Sequence, residues 1–195
     1  MPSDERRYAR HGSIVLGYHG TEASIANDLV LQKIAHLKKS DGQNEWLGHG
    51  IYFWEGDPER ALDWARNGHA KAPISEPAVV GAIIDLGVCL DLTTNAGCLE
   101  VQEGHEMLVS SYAASGIDMP VNKEDGRREL DCVVIQAIHK YRETHQRVAY
   151  DTVRGLFQEG QPLYPGAGFS RWNHAQIAVR STACIRGYFL PLKAP

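Results

Sequence analysis

Three short segments, each with one polar side chain beside glycine, constrain the fold of this chain most. They are residues 17–21 (GYHGT), 48–53 (GHGIYF) and 176–190 (QIAVRSTACIRGYFL). Their β-branched and aromatic content is typical of strands. Glycine beside a polar residue lets the backbone approach a ligand closely. We therefore predict that His19, Tyr52 and Gln176, which are far apart in sequence, meet in one cleft.

The pattern along the chain predicts an α+β domain, because strands are mixed with segregated helices and do not alternate regularly with them. Strands are predicted over residues 13–18, 50–54, 78–86, 175–180 and 185–190. The turn-rich residues 38–46 are predicted to form a loop. No repeat or Pro/Gly/Ser-rich linker divides the sequence, so residues 1–195 are predicted to form a single domain, with residues 1–12 as a flexible N-terminus.

Helix signals follow the first two strands. Thr21 is predicted to be an N-cap, because its hydroxyl can accept from free backbone N–H groups of the first turn. Asp57 followed by Pro58 is a stronger start, with an acceptor at the cap and proline at the first helical position. Two more helices are predicted over residues 98–114 and 127–143. The predicted apolar face of the last helix comprises Leu130, Val133, Val134, Ala137, Ile138 and Tyr141.

Composition and charge argue against several classes of function. The chain has 195 residues, of which 43% are hydrophobic, and a net charge of −4, which disfavours a dedicated nucleic-acid binder. No apolar stretch is long enough to span a bilayer, and the N-terminal residues lack the apolar run of a signal peptide, so we predict a cytoplasmic protein without membrane contact. The four cysteines form no CxxC pair and are predicted to be reduced core residues, although a disulfide is an open alternative. No cluster of Cys and His has zinc spacing, so no metal site is predicted.

The three segments, in this order, resemble the His-Tyr-Glu signature of the diphtheria-toxin and poly(ADP-ribose) polymerase class of ADP-ribosyltransferases. Gln176 stands where that family usually has glutamate, at the head of what resembles the family's closing hairpin. The resemblance covers both ends of the chain but not residues 96–161. It implies a split mixed β-sheet with peripheral helices, and NAD as the co-substrate.

The resemblance also implies roles for individual residues. His19 would bond a ribose of NAD, the Gly20 backbone would pair with the carboxamide, and Tyr52 would stack on the nicotinamide. Gln176 would contact the ribose 2′-hydroxyl. Taken alone, each side chain is ordinary, since a strand histidine or tyrosine is more often part of a core than of a site. The full set of residues expected to bind NAD is His19, Gly20, Thr21, Gly50, Ile51, Tyr52, Phe53 and Arg154.

Gln176 decides which function the resemblance implies. A neutral amide can orient a hydroxyl, but it cannot balance the charge of an oxocarbenium-like centre or act as a base. We therefore expect transfer of a single ADP-ribose unit to a macromolecular acceptor, protein or nucleic acid, as in a bacterial toxin or defence effector with a neutralising partner. The alternatives are a module that binds NAD or ADP-ribose without catalysis, an NAD glycohydrolase, and a scaffold that has lost the pocket.

Other candidate residues lie in the second half of the chain. Arg154, within residues 151–160, is predicted either to clamp the pyrophosphate bidentately or to be a solvated surface residue. Residues 164–169 resemble the family's substrate-facing loop, or form a simple turn-rich connection. An acid that replaces the missing glutamate could come from the predicted helices, although helix-surface charge is the simpler interpretation. The candidates are Glu106, Glu129 and Asp131.

Overall fold

The computed structural model describes residues 13–68, 73–123 and 126–192, and the predicted flexible segment 1–12 lies outside these ranges. Seven strands belong to the described part of the chain: β1 Ile14–Glu22, β2 Ile51–Glu55, β3 Pro77–Asp85, β4 Cys89–Asp91, β5 Thr152–Phe157, β6 His174–Val179 and β7 Ile185–Phe189. The α-helices are α1 Ala23–Val30, α2 Pro58–Asn67, α3 Asn95–Ser115 and α4 Glu129–Thr144. A 3₁₀ turn at Thr182–Cys184 precedes β7.

The seven strands form one mixed sheet in the order β4-β5-β6-β2-β1-β3-β7. The pair β4 and β5 is parallel, and the other neighbours are antiparallel. Because helices and strands do not alternate regularly, the fold is α+β, as the sequence predicts.

The two faces of the sheet carry separate apolar clusters. Phe53 and Ile177 are register partners and belong to a cluster that packs beneath α1. Tyr52 and Ala178, one residue along, face the opposite side, because side chains alternate along a strand. There α4 covers them through Val134, Ile135 and Ile138. We name these sides the α1 face and the α4 face.

Strands β1 and β2 pair over a short distance only. In the described residues their register consists of Gly17 with Glu55 and Tyr18 with Trp54. By contrast, β1 pairs with β3 from Ile14 to Glu22. In the described residues the two central strands therefore share no register pair beyond Tyr18, and His19 instead reaches β2 through its side chain.

The first strand is longer than predicted. Thr21 lies inside β1 and is 6% exposed, so the expectation that it caps a helix is wrong. The strand continues because Thr21 and Glu22 still pair with β3. Helix α1 starts at Ala23 without a side-chain cap. The Glu22 carboxylate instead accepts from the backbone N–H groups of residues 75 and 76.

Several local predictions are confirmed. Asp57 accepts a hydrogen bond from the Arg60 backbone at 2.9 Å and caps α2, with Pro58 as its first residue. β2 and β3 begin and end within one residue of the predicted bounds. α3 starts earlier than predicted, at Asn95, because the Thr94 hydroxyl accepts from Gly97 N–H. Cys89, Cys132 and Cys184 are buried free thiols, as predicted. The expectation that Cys98 is a core residue is wrong, because it is exposed.

The predicted face of α4 is partly wrong. Its buried residues are Cys132, Val134, Ile135, Ile138 and His139. Of the six residues predicted, Val134 and Ile138 are buried, while Leu130, Val133, Ala137 and Tyr141 are only partly covered. The buried side of α4 includes Cys132 and His139, and a pattern of apolar residues does not predict either of them.

The predicted closing hairpin does not form. β6 lies between β5 and β2 in the interior of the sheet, whereas β7 pairs with β3 at the far edge. Residues 152–157 form β5 and residues 89–91 form β4, and the sequence pattern predicts neither strand. Consequently Gln176 is a mid-strand residue, flanked by Trp54 and Gly155.

Gly20 allows α2 to lie directly on β1, which suggests a test of stability. A Cβ at this position would lie 2.1 Å from the backbone oxygen of Ala61 and 2.9 Å from the Cβ of Ala65. We expect Gly20→Ala to lower the free energy of unfolding by about 3 kcal/mol, because a backbone carbonyl cannot move aside locally. Denaturant unfolding measures this. The control is Gly187→Ala on β7, where a Cβ meets nothing within 4 Å. Equal stability of the two variants would contradict the close packing.

His139 suggests a test of pH dependence. The side chain is 4% exposed, and neither ring nitrogen has a hydrogen-bond partner among the residues that the structure describes. Burial, with Arg180 and Arg142 nearby, lowers the pKa of His139 to about 3. The unfolded state takes up a proton near pH 6.5 and the folded state does not, so stability is lost as pH falls from 6.5 toward 3. We expect His139→Leu to reduce this slope by about 1 kcal/mol per pH unit between pH 6 and 4. Unfolding curves across that range that run parallel for the two proteins would contradict it.

Candidate functional site

His19 is fixed at the point where β1 and β2 separate. Its Nδ1 lies 2.7 Å from the main-chain oxygen of Tyr52, and because a carbonyl only accepts, Nδ1 carries the proton. Its ring packs edge-on against Phe53 at 5.9 Å and lies 6.2 Å from the ring of Trp64. The side chain thus bridges the gap between the two strands.

A cavity of about 320 Å³ opens beside this histidine. Its walls are residues 19–22 of β1, Ile25 of α1, Trp64 of α2 and residues 73–74. This volume is at the lower end of the range for small-molecule sites, so it suits part of a dinucleotide. Three predicted ligand-binding residues, His19, Gly20 and Thr21, therefore line one cavity.

Tyr52 lies on the α4 face, where its hydroxyl holds the preceding loop. The hydroxyl donates to Gly48 O at 2.8 Å and accepts from Leu47 N–H at 3.0 Å. Burial, with Glu45 nearby, raises the pKa of Tyr52. The phenol therefore stays protonated and structural, and the ring rather than the hydroxyl is what Tyr52 can offer a ligand.

The same loop carries a polar network that sequence reasoning missed. Ser40 donates to Glu45, and burial raises the pKa of this carboxyl. His49 Nδ1 lies 2.8 Å from Gln136 Nε2 of α4. A polar loop gives no periodic signal, so only the folded contacts with α4 reveal these partners.

Gln176 shares the α4 face with Tyr52. It lies beside Trp54 on β2, two residues from the Tyr52 position. Its Oε1 accepts a hydrogen bond from Trp46 Nε1 at 2.7 Å. The structure thus places Tyr52 and Gln176 on one face of the sheet. His19 is on the other, where it reaches the Tyr52 main chain through the gap.

The remaining residues expected to bind NAD next to Tyr52 are core residues. Ile51 and Phe53 are 1% and 0% exposed and face α1. Gly50 packs against β6, where a Cβ would lie 2.9 Å from Val179 O. These three residues form the support on which Tyr52 is held.

Arg154 lies on β5 and points to the α1 face, beside Ile177. Its guanidinium is bidentate to Glu55, at 2.6 and 3.0 Å, and contacts Asp91 at 3.2 Å. The bond to Glu55 raises the pKa of Arg154. Burial alone would raise the pKa of Asp91, but bonds from Thr93 and Arg154 lower it below its usual value. Arg154 lies in a strand, its side chain is 25% exposed, and its charge is already paired with Glu55 and Asp91.

Arg60 is a second arginine near the site that sequence reasoning missed. Its guanidinium lies 5.8 Å from the ring of Trp54 and 5.5 Å from that of Trp172. It donates to Asp63 and, at 2.7 Å, to Glu159. It thereby ties α2 to the connection between β5 and β6.

That connection contains the predicted substrate-facing loop. Leu163 N–H bonds Phe169 O, and Ala167 N–H bonds Tyr164 O, both at 2.9 Å. Tyr164 is 58% and Phe169 is 64% exposed. The loop therefore presents two aromatic side chains to the surroundings.

The candidate replacement acids lie on helices, as predicted. Glu106 of α3 accepts from Gln102, and Asp131 of α4 accepts from Asn122. Glu129 lies 3.9 Å from Lys123. These are ordinary helix-surface contacts.

A larger cavity of about 800 Å³ lies between β4, α3 and α4 and shares no lining residue with the one beside His19. Within residues 13–68, 73–123 and 126–192, no group of Cys, His, Asp and Glu has the arrangement of a metal site. In the same ranges no helix combines the length and apolar character that crossing a bilayer requires.

The chain has a distant similarity to a protein whose function is not established. An uncharacterized protein of Methanocaldococcus jannaschii, MJ0359, is 26% identical over 144 residues, which cover 72% of this chain. The match spans 63% of that protein's length. No family model and no solved structure matches this chain.

Arg154 provides a test that separates structure from ligand binding. We expect Arg154→Lys to cost on the order of 2 kcal/mol of stability, because one ammonium cannot replace a fork that bonds two carboxylates. Any affinity for NAD, measured by calorimetry, should change less than about twofold, because the guanidinium is occupied by Glu55 and Asp91. A large loss of affinity with unchanged stability would instead favour the pyrophosphate clamp.

Proposed function

We propose that this protein binds NAD and transfers a single ADP-ribose unit to a macromolecular acceptor, on a sheet split as in the ADP-ribosyltransferases. The observation that carries the proposal is the separation of β1 from β2. His19 bridges the gap, and a cavity beside it is lined by the His-Gly-Thr segment. A cytoplasmic toxin or defence effector with a neutralising partner is the setting that the sequence resemblance implies.

Aromatic and main-chain groups beside His19 support a nicotinamide site. Trp64 lines the cavity, and an aromatic face attracts a cationic pyridinium. Trp64, rather than Tyr52 on the opposite face of the sheet, is therefore the candidate for stacking on the ring beside His19. Within the described residues Gly20 of β1 has no register partner on β2, so its backbone suits pairing with a carboxamide.

The proposed reaction breaks the bond between nicotinamide and the anomeric carbon of the ribose. Nicotinamide leaves as a neutral base with the bonding electron pair. A nucleophilic oxygen or nitrogen of the acceptor forms the new bond and loses its proton. Positive charge develops at the anomeric carbon on the way, and stabilising groups act where that charge appears. Gln176 is neutral, so we infer slow transfer of single units and no polymer.

A second candidate is binding of NAD or ADP-ribose without transfer. The chemistry of Gln176 favours this binding role, because its side-chain amide is uncharged and the amide oxygen already accepts a hydrogen bond from Trp46. With water as the acceptor, the same chemistry would be that of an NAD glycohydrolase. These alternatives differ in turnover and product, not in the cavity that is used.

NAD binding is the first test of the proposal. We expect NAD to raise the melting temperature and to bind in calorimetry, because a ligand of the folded state stabilises it by mass action. His19→Ala and Trp64→Ala should each weaken binding about tenfold or more while remaining folded. The control is Leu99→Trp, which obstructs the larger cavity and should leave NAD affinity unchanged. Absence of binding by the wild type at millimolar NAD would reject the proposal.

Single-turnover cleavage of NAD then separates the enzyme from the binding module. We expect Gln176→Ala to lower the cleavage rate more than the NAD affinity, because the lost contact is chiefly with the transition state. Reactions with cell lysate and labelled NAD should give acceptors that carry one unit. Binding without cleavage or transfer would replace the enzyme with the binding module.

A further inference from the structure

The contact between Trp46 and Gln176 fixes which end of the carboxamide is available. An indole N–H donates and never accepts, so the atom 2.7 Å from Trp46 Nε1 is the amide oxygen. The other terminal atom is Nε2, which has two protons. Within the described residues, Trp46 is the one hydrogen-bond partner of the Gln176 side chain. Gln176 is half-buried, so its amide nitrogen is left for a ligand.

The position of Trp46 is itself determined by its neighbours. A Cβ at Gly155 would lie 2.8 Å from Cη2 of Trp46, so the missing side chain lets the indole lie across β5. Phe157 packs against the ring at 5.1 Å. Gly155 is the register partner of Gln176, which places the indole directly over the strand beside it.

The loop that carries Trp46 is held as well. The next residue, Leu47, is fully buried and donates its backbone N–H to the Tyr52 hydroxyl. Ring, loop and strand therefore leave the indole little freedom to turn away from Gln176.

We propose that Trp46 is a positioning residue that makes Gln176 a hydrogen-bond donor toward the ligand. The group that meets Gln176 is then a hydrogen-bond acceptor, and in the NAD complex it is a ribose hydroxyl oxygen. This inference rests on the proposed function. A carboxylate at this position would offer an acceptor to both Trp46 and the ligand, whereas the amide divides its two ends between them.

A double-mutant cycle on single-turnover NAD cleavage tests the positioning role. We expect Trp46→Phe to slow cleavage about tenfold and to change NAD affinity less than about twofold, because it frees the amide to rotate. In the Gln176→Ala background, Trp46→Phe should have no further effect on the rate. Independent, multiplicative effects would overturn the proposal.

Gly155→Ala tests the same contact without removing the indole N–H. The added methyl displaces the ring. We therefore expect Gly155→Ala to slow cleavage as much as Trp46→Phe does, and to have no further effect on the rate in the Gln176→Ala background. Gly187→Ala, in open space on β7, is the matched control. Cleavage by Gly155→Ala at the wild-type rate would count against the proposal.

Nitrogen-15 NMR separates failure of this inference from failure of the proposed function. The Trp46 indole resonance should move in Gln176→Ala without any ligand, and an unmoved resonance would overturn the inference whatever NAD does. The side-chain amide resonances of Gln176 should shift on adding NAD. If NAD binds and they do not shift, the donor role is wrong. If the indole moves in Gln176→Ala but NAD does not bind, the contact stands and the proposed function fails.

Discussion

Tyr52 makes the hydrogen bonds on which the candidate site depends. Its main-chain oxygen fixes the His19 ring across the gap between β1 and β2. Its hydroxyl fixes the loop at residues 47 and 48, and that loop presents Trp46 to Gln176. One residue thus connects both faces of the sheet, because backbone and side chain point in different directions. The histidine and the glutamine, which do not touch, are positioned through it.

Local signals in the sequence were enough for most elements. Asp57 and Pro58 mark the start of α2 because cap and first-turn geometry depend on neighbouring residues alone. The alternation around Tyr52 and the apolar run of β3 gave those strands for the same reason. Strand pairing is a long-range property, and that is where the predictions failed. Thr21 stays in β1 because β3 continues to pair with it. β6 and β7 do not form a hairpin, because β6 pairs with β2 and β5 whereas β7 pairs with β3.

The sequence identified the residues with recognisable motifs and missed their supports. His19, Tyr52 and Gln176 were expected to meet in one cleft, yet alternation puts His19 on the opposite face from the other two. Trp46 and Arg60 carry no motif, since their importance comes from contacts with residues far along the chain. Arg154 was expected to clamp the pyrophosphate or to be a solvated surface residue, and the strand around it was not predicted. A glycine in a strand can mark the close approach of another ring, as Gly155 does for Trp46.

The placement of β6 has a consequence for how the chain folds. β2 and β5 have no direct pairing in the described structure, and β6, a late segment, joins them. Until that segment is in place, β2 and β5 each have an unpaired edge, and such edges are templates for association with other chains. The contacts between β2 and β6 join residues far apart in sequence, and contacts of this kind form slowly. The strand that carries Gln176 is therefore also the strand that joins β2 to β5, so the site is complete only once both of these edges are covered.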